Sequence, residues 1–128
     1  MYLIGDIGNT DIKICIVNNN SIVKRINFQN NNLSLTKINK TFYKLKKYLP
    51  KIKKILFCSV VPKSFQLIKK SLKNITKIKC YEIKNLNLSS IIRIKVNYNQ
   101  VGSDRLTNAI SLINNKKNFI IIDLGTAT

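Results

Sequence analysis

A short pattern occurs near both ends of this 128-residue chain, and it narrows the possible folds more than any other feature: an apolar stretch, an aspartate, then a glycine and a threonine. The first copy lies in residues 2–10, with Asp-Ile-Gly-Asn-Thr at 6–10, and a second alternating apolar stretch follows at 12–17. The other copy lies in residues 119–128, with Asp-Leu-Gly-Thr at 123–126. One Asp-Gly turn is weak evidence, because most such turns are plain hairpins. Two at strand ends predict two similar lobes that face one nucleotide.

The amino-terminal copy predicts a β-hairpin whose turn binds phosphate. Gly8 and Asn9 tolerate positive φ, so we expect their N–H groups to point into one concavity and hold an anionic oxygen. Thr10 adds a hydroxyl group, and Asp6 at the end of the strand can hold a cation that bridges phosphates. The first turn is therefore a candidate site for a phosphate chain.

Carboxylates are scarce in this chain, which has 5 acidic residues against 23 Lys and Arg and a formal net charge of +18. Asp6, Asp104 and Asp123 each lie next to a glycine or two residues from one. Acidic residues scattered over a surface would not show this placement, so these three are the first candidates for chemistry. The other two acids are Asp11 and Glu82.

The excess of basic residues has two interpretations. A strongly positive protein attracts polyanions, which favours a nucleic-acid partner. However, the basic residues are almost all lysines, and they are scattered over every segment with few aromatic side chains between them to form a stacking platform. We therefore interpret the charge as compositional drift and expect no dedicated nucleic-acid surface.

Composition also argues against several classes of protein. The hydrophobic fraction of 45% fits one globular domain, and no apolar run approaches the roughly 20 residues of a membrane helix. There is no histidine, and Cys15, Cys58 and Cys80 form no Cys-x-x-Cys pair, which argues against zinc sites and histidine-based catalysis. We expect reduced, buried thiols and, without a secretory signal, a cytoplasmic protein that binds no membrane.

Hydrophobic periodicity predicts an α/β chain. The predicted elements are strands at 2–4, 12–17 and 21–28, a helix from 36 that Pro50 stops, a strand at 54–61, a helix at 63–73 opened by Pro62, a strand at 78–83 and a helix that follows 102–105. The run at 54–61 is typical of a strand buried on both faces. Residues 85–99 are expected to form a loop with an extended piece at 91–96. This order predicts an antiparallel start followed by parallel strands.

A polar tetrapeptide, Gly102-Ser103-Asp104-Arg105, lies at the start of the last predicted helix. Free N–H groups and the helix dipole at such a start favour negative charge. Ser103 or Asp104 could simply be the N-cap, so a capping role and a functional role are both open on this motif alone. Arg105 is harder to explain by capping.

Four motifs in this order resemble those of the type III pantothenate kinases: residues 6–10, 59–62 (Ser-Val-Val-Pro), 102–105 and 123–128. Those kinases belong to the acetate kinase/Hsp70/actin superfamily, so the resemblance implies an α/β fold with a ribonuclease-H-like (actin-like ATPase) lobe. Such a lobe would have a mixed sheet, with three antiparallel strands first and then parallel strands, and flanking helices. Residues 1–116 would form that lobe, and 117–128 the first strand and phosphate turn of a second. The family phosphorylates pantothenate with ATP, the first step of coenzyme A synthesis, as a homodimer that needs a monovalent cation.

The resemblance also implies roles for individual residues. Asp104 would be the general base that takes the proton from the primary hydroxyl group of pantothenate. The pantothenate site would consist of Gly102, Ser103, Asp104, Arg105 and Tyr98. ATP with Mg²⁺ would be bound by Asp6, Ile7, Gly8, Asn9, Thr10, Asp11, Ile12, Lys13 and Thr126. Asp6 would hold the Mg²⁺, and Asp123 would hold the monovalent cation, K⁺ or NH₄⁺.

Two features depart from the family pattern. The segment before Gly102 lacks the usual proline and is shortened, which affects the assignment of Tyr98. The sequence stops inside the second phosphate motif, so we expect a truncated kinase that binds ATP weakly and does not turn over by itself.

Two other functions are open on the sequence. One is a basic nucleic-acid-binding or regulatory protein on the same fold, in which the kinase site has decayed. The other is a ribonuclease-H-like nuclease that uses Asp6, Asp104 and Asp123 to hold two metal ions, which requires these carboxylates to converge.

Overall fold

The first 29 residues form an antiparallel three-stranded meander in the computed structural model, which describes residues 1–113 and 117–123. Its strands are β1 (Tyr2–Ile7), β2 (Asp11–Asn18) and β3 (Ser21–Gln29). Between β2 and β3, Asn19 and Asn20 have φ values of 47° and 61°. Positive φ at both central residues gives a tight hairpin turn whose twist matches that of the strands. The predicted amino-terminal hairpins are confirmed.

Two further strands extend the sheet in parallel. Strand β4 (Lys54–Ser59) lies parallel to β1, and β5 (Cys80–Glu82) lies parallel to β4. The strand order is β3-β2-β1-β4-β5. Parallel neighbours need a crossover connection, and helices α1 (Leu35–Tyr43) and α2 (Pro62–Thr76) lie within these crossovers. The predicted mixed sheet, antiparallel first and then parallel, is confirmed.

One face of the sheet carries the main core. Fully buried strand side chains pack there against the apolar faces of α1 and α2. The largest include Leu3, Ile7, Ile14 and Phe57 from the strands, and Ile38, Phe42 and Ile68 from the two helices. A smaller cluster lies on the other face, where Leu106 of α3 (Ser103–Ser111) packs with Ile83 and Leu88. Helix α3 therefore covers only part of that second face.

The first helix is shorter than its apolar spacing predicted. Ser34 caps its start by accepting a hydrogen bond of 3.2 Å from Lys37 N–H, and the α-helix ends at Tyr43. Leu45 and Leu49 are buried as predicted, although they follow the helix in turns and in a 3₁₀ helix, Leu49–Lys51. Helix α2 begins at Pro62 as expected and continues three residues past the predicted end.

One prediction of extended structure needs correction, and two segments expected to be extended contain no strand. In β4 only one face is fully buried, because Leu56 and Cys58 on the other face line an open cavity. Residues 91–96 contain no strand, and the described part of the loop has only the 3₁₀ helices Ile83–Asn85 and Tyr98–Gln100. Residues 119–123 contain no strand either, since no strand among the described residues pairs with them, and Ile120 is 92% exposed.

Within residues 1–113 and 117–123, no helix combines the length and the apolarity that crossing a bilayer would require.

Candidate functional site

A cavity of about 630 Å³ lies between the partly covered face of the sheet and α3. Asp6 reaches it from the end of β1, and Asp104 reaches it from the first turn of α3. Asp123 also lines this cavity. The three carboxylates that the sequence singled out therefore meet at one site, although they lie far apart in the chain.

Asp6 is the carboxylate with the clearest electrostatic perturbation. Partial burial raises its pKa above the usual value, the Lys13 ammonium group lowers it, and the negative charges of Asp104 and Asp123 raise it further. Lys13 Nζ lies 3.9 Å from Asp6 Oδ2, across the β1–β2 pair. The site thus favours a cation beside Asp6, because a cation would relieve the repulsion among the three acids.

The first turn is built differently from the prediction. Gly8 N–H donates a hydrogen bond of 2.9 Å to the Asp11 carbonyl oxygen, and neither Gly8 nor Asn9 has positive φ. The predicted concavity made by their N–H groups is therefore wrong for this structure, because hairpin closure uses the Gly8 N–H. Asn9, Thr10 and Asp11 are nevertheless exposed at the turn.

The predicted ATP-binding stretch also contains core residues. Ile7 and Ile12 are fully buried in the main core, so any contact they make with a nucleotide would involve their backbone. The Lys13 side chain is 58% exposed and lines the cavity.

Asn30 holds the first turn in place, which the sequence did not indicate. Its Nδ2 donates to the Gly8 carbonyl oxygen at 2.7 Å, and its backbone N–H donates to the Thr10 carbonyl oxygen at 2.7 Å. Ser64 Oγ of α2 in turn donates to Asn30 Oδ1 at 2.6 Å. The turn is therefore tied to α2 through the Asn30 side chain.

At the start of α3 the N-cap is Gly102, with no hydrogen bond from a capping side chain. The N-cap interpretation of Ser103 and Asp104 is therefore wrong. Ser103 Oγ instead donates a hydrogen bond to the buried carboxylate of Glu82. Asp104 Oδ1 accepts a hydrogen bond of 2.9 Å from Arg105 N–H. A side chain at position 102 would collide with the Asp104 carboxylate, so glycine there leaves room for it.

The residues of the predicted pantothenate site do not all face the same space. Asp104 faces the main cavity, whereas Gly102 and Ser103 line a second cavity of about 440 Å³. The Arg105 side chain is exposed. Tyr98 lines a third cavity of about 460 Å³, and its hydroxyl group donates to the Lys84 carbonyl oxygen at 2.7 Å.

The second phosphate motif is described only as far as Asp123. Asn108 Nδ2 on α3 donates to Asp123 Oδ2 at 3.3 Å. Thr126, predicted to contact ATP, lies outside the described residues. Among the residues that the structure describes, no three Asp, Glu, Cys or His side chains are grouped so that they alone could hold a metal ion.

Several residues of the main cavity were missed. Thr107 and Asn108 line it, and their spacing of three and four from Asp104 on a helix could have revealed them. Arg25 and Asn27 of β3 also line it, opposite Cys15 and Lys13 in the register. Strand register was needed to find them.

All three cysteines are free thiols. Cys80 is buried as expected, whereas Cys15 and Cys58 are only half-buried and line the main cavity. Burial raises the pKa of Cys58 to about 11, despite an opposing hydrogen bond with the Thr107 side chain.

Comparison with known proteins gives consistent findings. The family model for type III pantothenate kinase matches residues 2–128. A type III pantothenate kinase of Pelagibacter ubique is 54% identical over 129 residues, covering 100% of this chain and 52% of that protein. One of Ehrlichia canis is 31% identical over 137 residues, again covering 100% of this chain and 52% of that protein. The chain thus spans about half the length of the curated relatives it matches.

A solved structure with a similar fold is the AlfA filament bound to AMPPNP. Its TM-score is 0.50 at 21% identity, and the match covers 86% of this chain and 39% of that chain. At this identity the likeness concerns the fold, and it supports the actin-like architecture predicted from the sequence.

Proposed function

This chain belongs to the type III pantothenate kinase family, and from that membership we propose that the protein transfers the γ-phosphoryl group of ATP to the primary hydroxyl group of pantothenate. The product would be 4′-phosphopantothenate, with ADP as the second product. Because the chain spans about half the length of its relatives, the proposal concerns the whole protein that carries these residues.

The observation that carries the proposal is the shared cavity of Asp6 and Asp104. Phosphoryl transfer asks a protein mainly to position the reactants and to neutralise charge. An acid at the phosphate turn and a second acid across the cavity match these two needs, one for the nucleotide and one for the acceptor alcohol. If the two carboxylates had faced opposite surfaces, Asp104 could not have deprotonated an alcohol placed next to a phosphate bound at the turn.

In the proposed reaction Asp104 accepts the proton of the pantothenate hydroxyl group while the hydroxyl oxygen forms a bond to the γ-phosphorus. The bond between that phosphorus and the β–γ bridging oxygen breaks, and its electron pair leaves with ADP. Gly102, Ser103 and Arg105 would bind pantothenate, with Tyr98 as a more distant contact. The exposed Arg105 guanidinium is suited to a carboxylate or phosphoryl oxygen.

ATP with Mg²⁺ fits the donor set of the main cavity. Mg²⁺ prefers oxygen ligands and usually binds through one or two carboxylates together with substrate phosphates. Asp6 would hold it and Asp123 would hold a monovalent cation, K⁺ or NH₄⁺. Bound Mg²⁺ would neutralise charge on the phosphates. We further propose that the enzyme is a homodimer, as the family resemblance implies, and that it is cytoplasmic.

A coupled ADP-release assay on the whole protein, with pantothenate as the acceptor, tests the function. Asp104→Asn is expected to lower kcat by about 10²–10⁴-fold, the usual contribution of a general base, while Mg²⁺–ATP still raises the Tm. Ser111→Ala, at the exposed far end of the same helix, is the matched control. No pantothenate-dependent ADP release by the wild-type protein would refute the proposal.

A nucleic-acid-binding role on the same fold makes a different prediction. Salt-dependent binding to arbitrary DNA, without stabilisation by ATP and Mg²⁺, would favour that role. Indifference to DNA together with stabilisation by ATP and Mg²⁺ would favour the kinase.

A further inference from the structure

Glu82 is a buried carboxylate that neither the motifs nor the proposed reaction uses. It lies at the end of β5 with only 8% of its surface exposed. Its Oε1 accepts a hydrogen bond from Ser103 Oγ, and Ser103 is only 2% exposed. A buried polar group without a hydrogen bond is costly, so the two side chains hold each other in one arrangement.

The residues after Glu82 hold the loop that leads into α3. Lys84 Nζ donates to the Asn99 carbonyl oxygen at 3.0 Å. The Tyr98 hydroxyl group donates to the Lys84 carbonyl oxygen at 2.7 Å. The end of β5 and the short helix after it thus contact both the approach to α3 and its first residue.

The position of Asp104 depends on the first turn of helix α3. Asp104 Oδ1 accepts a hydrogen bond of 2.9 Å from Arg105 N–H, and this bond is local to the turn and does not join it to the sheet. Leu106, three residues after Ser103, packs with Ile83 and Leu88 in the small apolar cluster, and apolar packing is not directional. The Glu82–Ser103 bond joins the first residue of α3 to the sheet, and the hydrogen bond between Thr107 and Cys58 of β4 joins the helix to the sheet one turn later.

We propose that Glu82 is a positioning residue for Asp104. It acts through Ser103, by fixing the first turn of α3 so that the Asp104 carboxylate faces the main cavity. This rests on the proposed function, in which Asp104 is the general base.

The experiment compares three variants of the whole protein. Glu82→Met removes the acceptor at similar volume, and Glu82→Gln keeps an oxygen that Ser103 can donate to. Asn39→Ala is the matched control. Asn39 Oδ1 accepts a hydrogen bond of 2.6 Å from Ser71 Oγ where α1 contacts α2, and Ser71, like Ser103, is only 2% exposed. Both Glu82→Met and Asn39→Ala therefore leave a buried serine hydroxyl group without its acceptor.

We expect Glu82→Met to lower the kcat of folded enzyme about 10–100-fold, the scale of a small misplacement of a reacting group, with the KM for ATP unchanged. Hydrogen exchange of the backbone amides in residues 106–108, the first that donate within the helix, should become at least about 10-fold faster, as local opening becomes easier. Glu82→Gln should stay within about 3-fold of the wild type in both measurements, because the hydrogen bond is retained. Asn39→Ala should lower the Tm without lowering kcat and without making hydrogen exchange at the start of α3 faster.

Unchanged exchange in residues 106–108 of Glu82→Met would overturn the proposal, whatever the activity. Faster exchange with unchanged kcat would also overturn it, since positioning would then be unnecessary for turnover. If the wild type does not phosphorylate pantothenate, the proposed function fails separately, and hydrogen exchange still decides whether Glu82 fixes the helix start.

Discussion

The side-chain amide of Asn30 donates a hydrogen bond of 2.7 Å to the carbonyl oxygen of Gly8, 22 positions earlier in the chain. Ser64 of α2 completes the connection by donating to the same side chain. The turn that would meet ATP phosphates is thus supported from behind by a helix. This relationship gives the hairpin a fixed position relative to the rest of the lobe.

Replacing Asn30 with alanine should weaken both folding and nucleotide binding. The change leaves the Gly8 carbonyl oxygen and the largely buried Ser64 hydroxyl group without this partner, which costs about 1–3 kcal/mol of unfolding free energy. The KM for ATP should rise while the KM for pantothenate changes little. Urea denaturation and steady-state kinetics measure these effects. Asn31→Ala, at the exposed neighbouring position, should shift stability by no more than about 0.5 kcal/mol, and equal effects of the two variants would contradict the role of Asn30.

Lys13→Met should move the acidic limb of the pH–rate profile to higher pH. Lys13 lowers the pKa of Asp6, whereas burial and the other two acids raise it. Removing the ammonium group therefore raises the pKa of Asp6 further, and a higher pH is needed to obtain the carboxylate that binds Mg²⁺. The profile of kcat/KM for Mg²⁺–ATP tests this, with Lys24→Met on β3 as the control. A limb that stays in place or moves to lower pH would show that Lys13 does not tune Asp6.

Gly102→Ala should displace the Asp104 carboxylate, because the new methyl group would occupy its place. We expect kcat to fall by roughly 10-fold or more, since a small misplacement of a reacting group is costly, with little loss of stability. Gly5→Ala is an informative contrast, because its methyl group would meet the buried ring of Phe57 in the core. That variant should lose about 1–3 kcal/mol of unfolding free energy through overpacking. A Gly102→Ala enzyme with normal kcat would contradict the placement of Asp104.

Cys58 and Cys80 should resist alkylation in the native protein. Burial raises the pKa of Cys58 to about 11 and that of Cys80 to about 12, so very little of either thiol is ionised at pH 8. Because an unfolded cysteine has a pKa near 8.5, iodoacetamide should react at least roughly 100-fold more slowly with these thiols in the native protein than in the unfolded chain. Mass spectrometry of the peptides carrying each cysteine measures the rates. Comparable native and unfolded rates would mean that these thiols are not protected.

The elements that the sequence predicted well are those whose signal is local. Alternation over residues 11–29, a helical apolar face at Ile38 and Phe42, and Pro62 as the first residue of a helix all depend on neighbours a few positions away. The prediction that residues 54–61 form a strand buried on both faces was wrong, because it depended on what the segment packs against. In β4 the side chains of Leu56 and Cys58 line a cavity instead of the core.

In the candidate site, too, local features could be predicted from the sequence and long-range contacts could not. Its carboxylates could be identified from their scarcity and from the glycines beside them, as with Asp6 and Asp104. The positive φ expected at Gly8 and Asn9 was wrong, because what a glycine tolerates does not decide which turn a hairpin adopts. The Glu82–Ser103 bond spans 21 positions, and no local pattern marks either residue as a partner of the other.

The amino-acid sequence by itself determined the order of strands and helices, the family, and which few acids could carry chemistry, because these depend on side-chain type and on short spacings. Only the tertiary structure decided that Asp6 and Asp104 share one cavity, that Asn30 supports the first turn and that Glu82 contacts the start of α3. Such contacts arise when strand pairing and helix packing bring distant parts of the chain within hydrogen-bonding distance. Their energies depend on that geometry, which residue spacing along the chain does not contain.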